Sequence, residues 1–445
     1  MLPRVLDALA SSLEGPLASP RRLALLLRDG DGWLRSGRLA GIVRDVQRER
    51  LARALRRAAS CSPYYRETLG WRVAEVDAVT APAMLEQLPF TQPTELADWR
   101  RFLCVPEDRL AAIYTTSGTS GEPKVCGFTG REQRRLVNLW ALGVRLGQPG
   151  PMRVLIALPT GHGLWIGTAS TTRAVERAGG TPLPIGTPHP SEALAWMRRF
   201  EPNMVVSSPS YLAALTRQAE DEGYRVPVDS LTLGGEPLGG ERRRYFSEYW
   251  DATVQESYGA TEIGGPQTIA LPGCRGLHLN ELHLVTEIVE KDGDAPAEQG
   301  ELVFTPLERE AMPLVRYRIG DRARWVECDC GLPLRCITLE GREDDMFTLG
   351  GTHLYGQVLA DAITQLPGTI GRIALEVDRH DHIDRLQLRV GGESVDEDAV
   401  RGALWDAYPR LREVVDGGQL VLDIETGADL TRQIKSFSLR DRRRG

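Results

Sequence analysis

The residues with the clearest chemical purpose lie in Tyr114-Thr-Thr-Ser-Gly-Thr-Ser-Gly-Glu-Pro-Lys124, a stretch dominated by glycine and hydroxyl side chains and closed by a lysine. Glycine lets a backbone approach a polyphosphate and point N–H groups at it, and the hydroxyls of Thr115, Thr116, Ser117, Thr119 and Ser120 add neutral donors. With Gly118, Gly121 and Lys124 the stretch is suited to holding phosphates. Other glycine-rich devices fail on spacing: Pro123 stands five residues after Gly118, where a P-loop needs glycine, and Glu122 stands where a nucleophile elbow would close. The competing reading is a solvated linker, and lysine usage argues against it. Among 54 basic residues lysine occurs only at positions 124, 291 and 435. A lysine kept against such a bias supplies a compact, flexible point charge that a planar guanidinium does not. Lys291, in Glu-Lys-Asp-Gly, reads as a turn residue.

A second constellation combines Cys274 and His278, with three residues between them, with Cys328 and Cys330. Four soft ligands in two close pairs suit tetrahedral zinc, with Cys336 as a rival ligand. The alternative is a turn-rich region with reduced thiols.

The elements that must position these residues follow from composition and pattern. A chain of 445 residues is too long for one core and predicts two or three domains. Its formal charge of −7 disfavours nucleic-acid and membrane-surface partners. No apolar run approaches the roughly 20 residues of a membrane span, and the N-terminus lacks a signal-peptide core. Seven cysteines at irregular spacing do not form a disulfide framework, so a reducing cytoplasm is expected. Residues 1 to about 60 read as helical, with Val43, Val46, Leu51, Ala54, Leu55 and Ala58 on one apolar face. Beyond the loop, strands at 154–158, 204–206, 231–233 and 253–255 alternate with helices at 191–197 and 211–215. That pattern predicts a doubly wound α/β domain whose ligands sit at the carboxyl ends of its strands. The region 344–445 reads as α+β, with strands at 375–377 and 386–390 and a helix over 400–408.

Thr116 to Lys124 matches, at every fixed position, the nucleotide loop [Ser/Thr]-Ser-Gly-Thr-[Ser/Thr]-Gly-x-Pro-Lys of the acyl-adenylate-forming enzymes. Further segments follow in that family's order. Ser62-Pro-Tyr-Tyr-Arg-Glu and Leu88-Pro-Phe-Thr-Gln-Pro resemble entry segments of its phenylacetate-CoA ligase branch. Gly234-Gly235-Glu236-Pro237 resembles the adenine-lining loop, Ser257-Tyr-Gly-Ala-Thr-Glu-Ile263 a diagnostic signature, and Val315-Arg-Tyr-Arg-Ile-Gly-Asp321 the ribose-binding segment. Gly341-Arg-Glu-Asp-Asp-Met346 resembles the hinge between a large N-terminal and a small C-terminal domain. The chain is thus identified as similar to this family over nearly its whole length.

The resemblance implies a large ATP- and acid-binding domain over 1–341, with a helical entry segment to about residue 100, and a mobile α+β domain over 342–445. ATP, Mg²⁺ and coenzyme A are the implied cofactors and co-substrate, with a structural Zn²⁺ at the Cys/His cluster. Tyr258 would stack on adenine beside Gly259, Thr261 would donate to the α-phosphate and Glu262 would hold Mg²⁺. Asp321 would accept the ribose hydroxyls, Arg342 would touch ribose or phosphates, and Asp344 would be the pivot. Lys435, in a stretch where Ile434 replaces the family's usual glycine, would stabilise the adenylation transition state. The Gly350-Gly351 loop would then reach the site for thioester formation. The acid would lie among His162, Trp165, Ser208, Tyr211 and Gly264, in a slot suited to an aryl or arylalkenoic acid. Arg372, Arg379, Arg385 and Arg389 are candidates for holding coenzyme A phosphate. The alternatives are a non-catalytic nucleotide-binding module and an adenylating enzyme that passes its acid to a carrier protein, an amine or a small inorganic nucleophile such as nitrite. A homodimer is the assembly the resemblance admits.

Overall fold

The computed structural model describes residues 38–442 apart from 74, 117–123, 148–149, 161–163, 236–237, 239, 271–273, 291–292, 331–333, 343–345, 350–351, 381–382, 393, 418–419, 431–432 and 434–436. Helix α1 (Arg38–Cys61) buries all six apolar residues that the helical spacing marks, from Val43 to Ala58. Arg50 ties this helix to the far sequence, donating to the Leu282 carbonyl at 2.8 Å and pairing with Glu308 at 3.1 Å. Two short helices follow, α2 (Pro63–Thr68), N-capped by the Ser62 hydroxyl, and α3 (Ala81–Glu86).

The glycine-rich loop is carried by an antiparallel hairpin, β1 (Ala112–Thr115) and β2 (Val125–Phe128), followed by α4 (Gly130–Gly147). Then the chain alternates: β3 (Arg153–Ala157), α5 (Ile166–Arg177), β4 (Thr181–Pro184), α6 (Pro190–Phe200), β5 (Met204–Ser207), α7 (Pro209–Asp221), β6 (Ser230–Gly234), α8 (Gly240–Trp250) and β7 (Thr253–Ser257). The five strands form one parallel sheet in the order β4-β3-β5-β6-β7. Its faces build separate cores. Leu155, Val205 and Leu233 pack with α6, α7 and α8 on one side, and Val154, Ile156 and Met204 with α4 and α5 on the other. This is the doubly wound arrangement that the apolar runs predict, because strands covered on both faces must be apolar throughout.

After a small hairpin, β8 (Gly259–Ala260) with β9 (Gly265–Pro266), the fold changes character. Strands β10 (Thr268–Ile269), β11 (Leu277–Leu279), β12 (Leu284–Val289), β13 (Gln299–Pro306), β14 (Tyr317–Val326) and β15 (Cys336–Arg342) make an antiparallel sheet in the order β10-β11-β15-β14-β13-β12. Within residues 1–341 the sequence reading expects doubly wound sheets, and this antiparallel sheet departs from that expectation. Here register shifts between Glu301 and Val303 and between Arg322 and Ala323 interrupt the strand period that would have announced this sheet.

The last part holds a hairpin, β16 (Met346–Leu349) with β17 (Thr352–Tyr355), then α9 (Gly356–Ile363). A mixed sheet of β18 (Ile373–His380), β19 (Ile383–Gly391), β20 (Leu420–Ala428) and β21 (Phe437–Asp441) follows in the order β20-β19-β18-β21. Helices α10 (Glu397–Ala407) and α11 (Pro409–Asp416) lie between β19 and β20 in sequence. This α+β part has its own core, including Leu359, Ile373, Leu388, Leu404 and Phe437. Two arginines join it to the parallel-sheet region. Arg217 donates to the Thr369 and Thr364 carbonyls at 2.8 and 2.7 Å, and Arg242 pairs with Asp361 at 3.1 Å and bonds the Thr364 hydroxyl.

Candidate functional site

The base of the glycine-rich loop is closed by its own ends. Thr116 N–H donates to the Lys124 carbonyl at 3.0 Å, and Lys124 N–H donates to Thr116 Oγ1 at 3.2 Å. Ser117, Gly118, Thr119, Ser120 and Gly121 lie outside the described residues, as do His162, Glu236, Pro237, Asp344, Gly350, Gly351 and Lys435. Gly235 follows β6 with φ of 83°, a conformation that favours glycine.

From Lys124 the site builds outward through two tyrosine–carboxylate pairs. The Tyr317 hydroxyl accepts from Lys124 Nζ at 3.2 Å and donates to Glu262 Oε1 at 3.1 Å, while Nζ stands 3.6 Å from that same oxygen. The Tyr258 hydroxyl donates to Asp321 Oδ2 at 2.5 Å. Two Tyr-x-x-x-acid segments, Tyr258…Glu262 and Tyr317…Asp321, therefore pair reciprocally, each tyrosine with the other's acid. On β14, Tyr317, Ile319 and Asp321 are alternate residues and all are buried, which puts both site residues on one face of the strand. Glu262 is 5% exposed and Asp321 8%, so both carboxylates are held inside the fold by these partners.

The Tyr258–Glu262 segment is shaped by the β8–β9 hairpin. Thr261 lies in its turn, its carbonyl accepting from Gly264 N–H at 3.1 Å. A Cβ on Gly259 would lie 2.2 Å from the Gly265 carbonyl oxygen, so only glycine allows the two strands this approach. Asp321 and Arg342 are register partners in the β14–β15 pair. Sequence reasoning missed Tyr317. The signal was its place four residues before Asp321 in a strand, hence on the same face.

The expected acid-binding residues have employment in the fold. Trp165 is the residue before α5. Ser208 caps α7, its hydroxyl accepting from Tyr211 N–H at 3.3 Å, and the buried Tyr211 hydroxyl donates to the Pro188 carbonyl at 2.9 Å. Burial, then the charge of Glu192, pushes the Tyr211 hydroxyl pKa up, so it stays a neutral donor. Gly264 borders a cleft that also involves Leu136, Leu139, Ile263, Gln267 and His283. Burial, followed by the charges of Arg50 and Arg135, lowers the His283 pKa to about 3, so this imidazole is neutral at pH 7.

The sulfur cluster assembles as its spacing predicts. One ligand atom from each of Cys274, His278, Cys328 and Cys330 lies within 4.8 Å of the others, and Cys330 Sγ is 3.2 Å from His278 Nε2. His278 Nδ1 faces the Leu334 carbonyl at 2.8 Å, which turns Nε2 towards the sulfurs. Burial raises the Cys328 pKa, but hydrogen bonds from the Arg275 and Cys330 N–H groups and from His278 outweigh it and bring it to about 6. Cys336, opposite His278 in the β11–β15 register, is not one of the four. Burial, then the neighbouring Cys328 and Cys330, pushes its thiol up to about 11.

The basic residues considered for coenzyme A are partnered. Arg379 pairs with Asp384 at 2.7 Å, Arg389 with Glu425 at 2.9 Å and Arg385 with Asp423, all at the exposed surface, and Arg372 donates to the Leu430 carbonyl at 3.1 Å. These pairings favour the solvated-face reading of the arginines. Among the described residues no helix is long and apolar enough to cross a membrane.

With this geometry in place, similarity to known proteins becomes informative. The chain is 28% identical over 360 residues to the phenylacetate-coenzyme A ligase of Aromatoleum evansii, covering 78% of this chain and 81% of that protein. The phenylacetate-coenzyme A ligase of Escherichia coli is also 28% identical, over 356 residues and the same shares. In fold it resembles a 2-hydroxyisobutyryl-CoA ligase in the postadenylation state in complex with 2-HIB-AMP, with a TM-score of 0.72, 21% identity and 89% of each chain covered. The AMP-binding enzyme family matches residues 45–305, a span that includes the loop ending at Lys124 and the Tyr258–Glu262 hairpin. Since that match takes in more than half of the sequence, Lys124, Tyr258 and Glu262 included, the chain belongs to the AMP-binding enzymes.

Proposed function

We propose that this protein is an adenylate-forming ligase that uses ATP to activate a carboxylic acid, of the aryl or arylalkenoic class, as its acyl-AMP and then transfers the acyl group to coenzyme A. The observation that carries this reading is the convergence of Lys124, Glu262, Tyr258 and Asp321 through two reciprocal tyrosine–carboxylate pairs. It supports reading Lys124 as a phosphate-binding lysine, Glu262 as a hard oxygen ligand and Asp321 as a diol acceptor of one connected site. The named relatives are coenzyme A ligases, which favours that acceptor over an amine, nitrite or a carrier protein. The comparisons give a carrier protein or a homodimer no support.

In the first half-reaction a carboxylate oxygen of the acid attacks the α-phosphorus, and the bond to pyrophosphate breaks. The protein's task is positioning and charge stabilisation. Lys124 and the loop hydroxyls hold the outer phosphates, Thr261 donates to the α-phosphate, Tyr258 lines the base and Asp321 accepts the ribose hydroxyls. Glu262, a buried carboxylate, would hold a magnesium ion, which when bound would neutralise phosphate charge. Lys435 is assigned to the transition state and Asp344 to a pivot between domains 1–341 and 342–445. In the second half-reaction the coenzyme A sulfur attacks the acyl carbon and AMP departs.

The four-residue cluster suits a structural zinc. Its donors are three sulfurs and one imidazole nitrogen, the mixture that tetrahedral zinc prefers, and the Leu334 carbonyl already orients the imidazole. A reducing cytoplasm is the compartment in which these thiols would remain available.

The test is ATP–pyrophosphate exchange with a panel of aryl, arylalkenoic and aliphatic acids. Trapped acyl-AMP is then offered coenzyme A, pantetheine, amines and nitrite, with products followed by mass spectrometry. Aryl acids should support exchange, and coenzyme A should accelerate AMP release. Exchange with none of the acids would overturn the adenylation reading, whereas release driven only by another nucleophile would overturn the transfer step alone.

A further inference from the structure

Glu262, the carboxylate assigned to the metal, and Lys124, the cation assigned to the phosphates, are neighbours before any nucleotide arrives. Their charged atoms are 3.6 Å apart, beyond the roughly 2.7–2.9 Å of a direct charge-assisted hydrogen bond. Between them stands the Tyr317 hydroxyl, donating to the one and accepting from the other. We propose that Tyr317 is a positioning residue that keeps Lys124 and Glu262 a spaced pair, so that a metal–nucleotide complex can take both without first breaking a closed salt bridge. This inference rests on the nucleotide-site reading above.

The physical argument has three steps. First, Tyr317 itself cannot follow its partners: it is fully buried, its backbone pairs with Phe304 in the antiparallel sheet, and its ring belongs to the large core around Leu302, Phe304 and Val315. The hydroxyl is therefore a fixed point between two flexible side chains. Second, a hydroxyl both donates and accepts, so it can remain bonded to Glu262 when Lys124 turns to a phosphate, and to Lys124 when Glu262 turns to a cation. A residue of single polarity could serve only one of these states. Third, without the hydroxyl the ammonium and carboxylate would be each other's nearest polar partners among the described residues. Lys124 carries the longer, more flexible stem of the pair and its side chain is only partly buried, which leaves it the freedom to close the gap. A contact pair formed in so enclosed a place is stronger than a spaced one, and incoming phosphate and metal would have to separate it.

The same strand face makes the arrangement specific. Asp321, four residues along β14, is held by Tyr258, so the residues assigned to the ribose end and to the phosphate end are set by one rigid strand. Tyr317 acts on the phosphate end alone.

The experiment measures ATP affinity by calorimetry, with excess Mg²⁺ and with a chelator, for the parent protein and for Tyr317→Phe. Phenylalanine keeps the buried ring, so the melting temperature should stay close to the parent's, and melting reports directly if it does not. The expected result is that the gain in affinity given by Mg²⁺ shrinks about tenfold in Tyr317→Phe, the scale of one hydrogen bond to a charged group. In a Lys124→Ala background the same substitution should leave the Mg²⁺ gain almost unchanged, because no lysine remains to close on Glu262. An unchanged Mg²⁺ gain in Tyr317→Phe overturns the proposal. So does an equal loss with and without Lys124, which would mean that the hydroxyl acts on the carboxylate alone. If the parent itself binds no ATP under either condition, the nucleotide-site reading falls and this role falls with it, an outcome distinct from both others.

Discussion

Asp321→Asn tests the ribose assignment with the least disturbance of shape. The native carboxylate is 8% exposed and accepts from the Tyr258 hydroxyl at 2.5 Å. A carboxylate offers about four lone-pair sites, so one oxygen can serve Tyr258 while the group still receives a vicinal diol. The amide keeps the volume and one acceptor oxygen, and Tyr258 can continue to use it. What is lost is the charge, and with it the strength of the bonds to ribose. Hydrogen bonds to charged groups contribute about 1.5–3 kcal/mol, so kcat/KM for ATP should fall about 10- to 150-fold at 1.36 kcal/mol per decade. With 2′-deoxy-ATP one of the two hydroxyls is already missing, and the fall should be several-fold smaller. Pyrophosphate exchange with both nucleotides measures the pair of values, and thermal melting guards against unfolding. A variant that keeps the parent's preference for ATP over 2′-deoxy-ATP, whatever its absolute rate, would refute the assignment.

Other outcomes follow from the same structure. Protein purified without chelators should contain about one zinc per chain, and Cys328→Ser should lower both the zinc content and the melting temperature; metal analysis that finds none would end the zinc reading. His283 is neutral in the folded protein because burial, then Arg50 and Arg135, lowers its pKa to about 3 from 6.5. On acidification the unfolded chain takes up that proton first, so stability falls as pH drops from about 6.5 towards 3, by about 2 kcal/mol at pH 5. A His283→Gln variant whose unfolding free energy declines as steeply between pH 7 and 5 would contradict this. Arg242→Ala removes a nearly buried cation from Asp361 and the Thr364 hydroxyl, and chemical denaturation should show a loss of about 1–3 kcal/mol, kept below the figure for a fully buried pair by the partial exposure of Asp361. No measurable loss would mean that the contact does not persist in solution.

The parts of this molecule that the sequence makes legible share a physical feature: the pattern that betrays them is local. The face of α1 shows in a helical period within one segment, and β3 and β5 show as short apolar runs because a parallel sheet covers them on both sides. The loop ending at Lys124 is legible because phosphate binding demands particular residue types at adjacent positions. The antiparallel sheet from β10 to β15 is not, since its strands are partly polar and two register shifts break their period. Partnerships between distant residues are also hidden. Glu262 and Tyr317 are 55 residues apart, and nothing in either segment announces the other. Ser208 shows the converse: a residue type suited to binding a substrate is equally suited to capping a helix, and the structure gives it that second task. In the Cys/His cluster the sequence leaves Cys336 as a rival ligand, and the β11–β15 register, a long-range pairing, puts it opposite His278.

The reciprocal pairing also explains why the signature segments need one another. Each supplies a tyrosine and, four residues later, an acid, and the pairs are crossed, so neither segment satisfies its own acid. Along β14 four residues correspond to about 13 Å. That length is enough to separate the sugar end of a nucleotide from its phosphates. A single strand face thereby sets the distance between Asp321, assigned to the diol, and the Tyr317 hydroxyl that meets Glu262, assigned to the metal, and each carboxylate accepts from a tyrosine hydroxyl. The two ends should consequently be separable by substitution. Asp321→Asn should alter the preference between ATP and its 2′-deoxy analogue while keeping the Mg²⁺ gain, and Tyr317→Phe should do the reverse. Were both substitutions to shift both quantities together, the face of β14 would be acting as one unit, and the assignment of separate ends would be wrong.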